Sequence, residues 1–196
     1  MAKPLLTPDD IMAMDAYAKV RHARRQSIAA LKRHRRVAVG PDVTFYFENW
    51  DTMWMQVHEM LYADGGGQAQ IAGELDAYNP LIPKGRELVA TMMIEIDEPS
   101  RRDRVLAGLG GIEATASLRI DGEAIAAVPE AEIERTTAAG KTSSVHFLHF
   151  PFSAAQIARF RAPETEVILG LAHPNYGHMA VLSGKVRGTL AADFDP

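Results

Sequence analysis

With 196 residues, 47% of them apolar, and a net charge of −4, the chain suffices for one large domain or two small ones sharing a core. So mild a charge gives no global argument for nucleic acid; any basic patch has to be local. The absence of cysteine excludes disulfides, thiolate metal sites, all-cysteine iron–sulfur clusters and cysteine nucleophiles.

A cysteine-free chain fits a reducing compartment. The opening MAKPLLTPDDIMAMDAY carries early acids and no apolar h-region, so no secretory signal is read there. No apolar run reaches the roughly 18 residues of a membrane helix. A cytoplasmic protein is expected.

Thr7-Pro8-Asp9-Asp10 is a helix start, with a cap, a proline at the first position and acids at the positive end of the dipole. Ile11, Met14, Tyr17, Ile28 and Leu31 continue at helical spacing, with a possible break, and Arg35-Arg36 closes the run. Val37–Val39 and Val43–Phe47 flank Gly40-Pro41-Asp42 as two short strands. Asn49 or Asp51 can cap a helix to about Tyr62, with a flexible end at Gly65-Gly66-Gly67. A third helix is predicted from Gln68 to Tyr78, stopped by Asn79-Pro80.

Leu88 to Ile96 is strand-like, and a short helix follows Pro99-Ser100. Glu113 to Ile120 alternates, and Asp121-Gly122 turns it into a partner strand to Val128. Residues 129–141 read as a loop, and Thr142 to Phe152 as the most strand-like run in the chain. Ser153 caps AAQIARFRA, Glu166 to Ala172 is a strand, residues 173–177 turn, and Ser183 caps a last helix. The expected fold is α+β: a helical N-terminal half, 1–84, with a short hairpin, packed on an antiparallel sheet whose half, 85–196, is split-βαβ-like. The two segments are expected to share one continuous core.

On a helix over 50–62, Trp50, Met53, Trp54, Val57, Met60 and Leu61 share one face, a core stripe. Beside it Gln56 and Glu59 form a polar strip, and His58 points a third way, toward solvent. Glu48 and Asn49 stand at the helix entrance. Either Glu48 and Asn49 cap the helix while Glu59 pairs with an arginine such as Arg36, or Glu48, Gln56 and Glu59 line a pocket for a metal or ligand.

RRVAVGPDVTFYFEN, then Gln56, Glu59-Met60-Leu61, Glu74-Leu75, Tyr78-Asn79 and Leu81-Ile82-Pro83, resembles the bacterial domain of unknown function 3501 family. The resemblance continues through Gly108 to Glu113, Ser144 to Phe150 and His173-Pro174-x-Tyr176. Trp50 departs from it, standing where an arginine is common, as does Tyr62-Ala63-Asp64. The resemblance implies a setting beside rubrerythrin-like proteins and iron–sulfur oxidoreductases, hence redox or peroxide metabolism, without naming a reaction.

Seven histidines raise a metal hypothesis. His22 and His34 belong to the basic helix and are expected in solvent. His146 and His149, three apart on a strand, face opposite sides unless a bulge intervenes. A turn brings His173 and His178 closer. His173 with His146 or His149 and with Glu48 or Glu59 would suit iron, manganese or zinc. HExxH, ExxH, GxSxG, P-loop and dinucleotide motifs are absent. The basic segment around Lys19–Arg36 reads first as a solvated face, then as a surface for an acidic partner or a phosphate-bearing ligand; nucleic acid is disfavoured, since no aromatic platform is interleaved.

Two functions stay open. One is a non-catalytic accessory or partner of a redox/peroxide-stress oxidoreductase. The other is a small metalloprotein or metalloenzyme. The candidate ligand-binding residues are Glu48, Asn49, Gln56, Glu59 and Tyr176; the candidate metal ligands are His146, His149, His173 and Glu59.

Overall fold

The computed structural model describes residues 5–65, 67–130, 136–137 and 140–195. The loop read over 129–141 therefore lies largely outside the described residues. The fold is α+β. A five-stranded antiparallel sheet has the order β1-β2-β3-β7-β6, with β1 Arg36–Val39, β2 Val43–Phe47, β3 Glu87–Ile94, β6 Val128–Pro129 and β7 Val145–Pro151. A four-stranded one has the order β5-β4-β8-β9, with β4 Ala116–Ile120, β5 Glu123–Ala126, β8 Val167–His173 and β9 Tyr176–Val181. The helices are α1 Met14–Lys32, α2 Trp50–Ala63, α3 Gln68–Tyr78, α4 Pro99–Ala107, α5 Ala154–Arg161 and α6 Gly184–Ala191.

Strand periodicity divides the apolar residues between two clusters. Phe45, Met92 and Leu148 join Leu118 and Leu169 in the core shared by the sheets. Val89 and Phe147 point the other way, against Met53, Trp54, Val57 and Leu61 of α2. The hairpin β1–β2 pairs with β3, so strands from before and after Gly85 share one sheet. The strand–helix–strand order of a split βαβ is present along the chain, but α5 joins β7 of the first sheet to β8 of the second. The strands of that unit are divided between sheets.

The first predicted helix is broken. Pro8–Asp10 form a single 3-10 turn, and α1 begins only at Met14. The strap between crosses α2, and the Asn79 side chain holds the chain just ahead of the turn, accepting from Leu6 N at 2.7 Å and donating to Leu6 O at 3.0 Å. This strap corrects the expectation for His58, which is 0% exposed. Its Nδ1 donates to Trp54 O at 2.7 Å and its Nε2 accepts from Met12 N at 3.0 Å, which fixes a neutral tautomer. The ring lies 3.8 Å from that of Trp54.

Desolvation, with a smaller push from Arg24, holds His58 below the ordinary histidine value. Protons then bind the unfolded chain better, so stability is complete above about pH 6.5 and falls as pH drops toward the lowered value. Urea midpoints are expected to fall between pH 7.5 and 5, with a flatter dependence in His58→Gln. An unchanged slope in that variant would place the acid sensitivity elsewhere.

Candidate functional site

Glu48 lies between the end of β2 and the start of α2, and its backbone is held from both sides. Its N–H donates to Val89 O at 2.8 Å, and its carbonyl accepts from Arg35 Nη2 at 2.9 Å. Its Oε1 accepts from Thr91 Oγ1 at 2.7 Å. Oε2 is buried and has no hydrogen-bond partner among the described residues, in a residue only 4% exposed. An unmatched buried carboxylate oxygen is costly, on the order of 1–3 kcal/mol or more.

Glu48 lines a cleft of about 250 Å³ between the helical layer and the first sheet. Register builds its floor: Tyr46 pairs with Thr91 and Thr91 with Phe147, while Met93 pairs with Val145 in the next outward row. Met53 and Gln56 of α2, Tyr78 at the end of α3, Leu81 just beyond it, and Lys32 at the end of α1 complete the lining. The Tyr46 hydroxyl donates to Glu95 at 2.9 Å, and Gln56 Nε2 stands 3.5 Å from the Tyr78 hydroxyl. A larger groove of about 590 Å³, bordered by Ile11, Met12, Leu61 and Ile71, has no titratable side chain in its lining among the described residues.

Of the proposed ligand residues, the structure brings Glu48 and Gln56 together and assigns the others elsewhere. Asn49 caps α2, its Oδ1 accepting from Thr52 N at 3.0 Å while Thr52 Oγ1 accepts from Asn49 N at 2.9 Å. Glu59 turns to α1. It accepts from Arg21 Nε at 2.8 Å, Arg21 Nη2 at 2.7 Å and the Tyr17 hydroxyl at 2.7 Å, so its pairing arginine is Arg21 and not Arg36. The Arg21 hydrogen bonds hold its carboxyl below the usual range. Tyr176 is a packing residue between the sheets, 6% exposed, and its hydroxyl donates to Val39 O at 2.9 Å.

The metal set is dispersed. His146 and His149 face opposite sides of β7, with no bulge, as three-residue spacing dictates. His146 is fully buried, its Nε2 within 3.0 Å of Thr142 Oγ1 and 2.9 Å of Ser143 O, and its Nδ1 3.6 Å from Glu113. His149 Nδ1 meets Glu87 at 3.0 Å. His173 sits in the second sheet, its Nε2 3.3 Å from Gly110 O and its Nδ1 accepting from Asn175 N at 3.2 Å. Among the described residues, no three histidine or carboxylate side chains are grouped as metal ligands.

Sequence reasoning missed Tyr46, Thr91 and Tyr78 as cleft residues. Register carries the signal for the first two, since residues paired directly across neighbouring strands share a face, but the register of β2 on β3 is not in the local pattern.

The profile of the family described as "Protein of unknown function (DUF3501)" matches residues 5–194. The chain belongs to the DUF3501 family. A crystal structure of a novel protein of unknown function from Burkholderia pseudomallei K96243, at 1.90 Å resolution, is similar to this DUF3501 chain. The two share 38% identity with a TM-score of 0.90, over 97% of this chain and 100% of that one. No curated protein matches. No helix among the described residues of this DUF3501 protein is long and apolar enough to cross a membrane.

Proposed function

We propose that the protein is a small-molecule-binding accessory protein that works beside a redox or peroxide-stress oxidoreductase. The binding part rests on one observation: Glu48 Oε2 is buried in the lining of a cleft with no partner among the described residues, while every other polar group of that residue is fixed. A group held this firmly with one lone-pair face unused is preorganised for a ligand donor. The companion oxidoreductase rests on the family resemblance alone. The metalloprotein reading has no comparable support, because its candidate ligands are not grouped among the described residues.

Native mass spectrometry of untagged protein, beside the Glu48→Gln variant, tests the binding part. A small molecule retained by the wild type and lost in the variant is expected, with affinity about 10–100-fold lower. The unliganded variant is expected to be about as stable, since glutamine keeps an acceptor for Thr91 and takes the carboxylate charge out of the site, although its amide nitrogen stands where Oε2 did. Destabilisation beyond about 2 kcal/mol would make Glu48 structural and end the reading. For the companion, co-elution in fixed stoichiometry with a co-expressed rubrerythrin-like or iron–sulfur oxidoreductase is expected; separate elution would remove that part alone.

A further inference from the structure

We infer that the cleft takes a small zwitterionic amine of amino-acid size, its ammonium on Glu48 and its carboxylate on Lys32. The inference rests on the cleft reading and adds the ligand's chemistry. A carboxylate is acceptor-only when ionised, so whatever meets Glu48 Oε2 must be a donor. The rings of Tyr46, Tyr78 and Phe147 line the same cavity, and aromatic surroundings favour a cationic donor over a neutral one. A charge-assisted N⁺–H···O⁻ bond is also the stronger match for a buried carboxylate.

Lys32 supplies the complementary end. It lines the cleft from the last position of α1, is half-buried, and forms no ion pair within 4.0 Å among the described residues. Its ammonium is donor-only and calls for an acceptor. Glu48 and Lys32 thus present opposite charges to one cavity without pairing with each other. A ligand with a single charge leaves one of them unmatched in a partly dry site, whereas a zwitterion satisfies both. The remaining lining, Met53, Leu81, Met93 and Val145, suits a short apolar body. At about 250 Å³ the cavity falls below the roughly 300–1,000 Å³ of drug-sized sites, which sets the ligand's scale.

Three probes with one carbon body separate the contributions: L-norleucine, n-pentylammonium and hexanoate, titrated by calorimetry and by backbone NMR shifts. Norleucine is expected to bind tightest, pentylammonium about tenfold more weakly, and hexanoate more weakly still. Glu48→Gln is expected to weaken norleucine and pentylammonium by about 10–100-fold. Lys32→Met, at a half-exposed helix end, is expected to bring norleucine down to the pentylammonium level. Hexanoate binding as well as norleucine, either variant binding norleucine like the wild type, or no probe binding at all would overturn the inference. If no probe binds while mass spectrometry still finds a Glu48-dependent small molecule, the zwitterion falls and the cleft stands. If neither is seen, both fall.

Discussion

Replacing Arg35 with alanine is expected to lower the unfolding free energy by about 3–5 kcal/mol. Arg35 is 2% exposed although it follows a basic helix whose face reads as solvated. Its guanidinium donates to Phe47 O at 2.9 Å, Glu48 O at 2.9 Å and Asp193 Oδ1 at 3.2 Å, and also pairs Nη2 with Asp193 Oδ2. Alanine strands a buried carboxylate and two carbonyls together. Burial already pushes the Asp193 carboxyl up, even against the arginine beside it, so the intact pair contributes little net stability while its disruption is expensive. The double variant Arg35→Met, Asp193→Leu is expected to recover part of the loss. What it fails to recover measures the two carbonyl bonds. Urea unfolding gives both numbers, and a loss under about 1 kcal/mol for the single variant would mean that water reaches the site.

Tyr176→Phe is the second large effect, on the order of 3 kcal/mol for three buried backbone groups left unmatched. The hydroxyl accepts from Asp42 N at 2.9 Å and Val43 N at 3.1 Å while donating to Val39 O. It thereby closes the β1–β2 turn from the opposite sheet. Gly40 lies under it with φ of +74°, and a Cβ there would stand 2.6 Å from the His178 ring and 2.7 Å from the Tyr176 oxygen. Gly40→Ala is therefore expected to destabilise by both strain and collision, and thermal unfolding of the two variants checks the pair. Full stability in Tyr176→Phe would show that the turn holds without the hydroxyl.

Local signals were readable where an element satisfies itself. Helix α3 falls over Gln68–Tyr78 as its stop at Asn79-Pro80 predicts, and the caps at Asn49, Ser153 and Ser183 accept as N-caps do. Strand β9 was not legible. Its burial runs Tyr176 buried, then exposed through Met179, with Val181 exposed again, so no alternation marks it. Among the described residues it pairs only with β8 and shows one face to solvent.

The candidate site was half legible for a related reason. Gln56 and Glu59 are neighbours on the helix, but α1 supplies Arg21 and Tyr17 to one of them and not to the other. Spacing along α2 cannot say which helix arrives on which side. His58 looked exposed because its partner, Met12 N, is 46 residues away. Helical periodicity assumes a single dry side, and α2 is covered by the strap, α1, α3 and the sheet.

The contact between Arg35 and Asp193 spans 158 residues, and that between Tyr176 and the β1–β2 turn spans 134. Both therefore close late in a search limited by loop entropy. During synthesis from the N-terminus, the segment carrying Glu48 emerges long before the carboxylate that neutralises Arg35. Arg35, which donates to the Glu48 carbonyl, meets its own carboxylate only once residue 193 has been made. The anchorage of the Glu48 carbonyl is thus tied by topology to a carboxylate from the far side of the sequence.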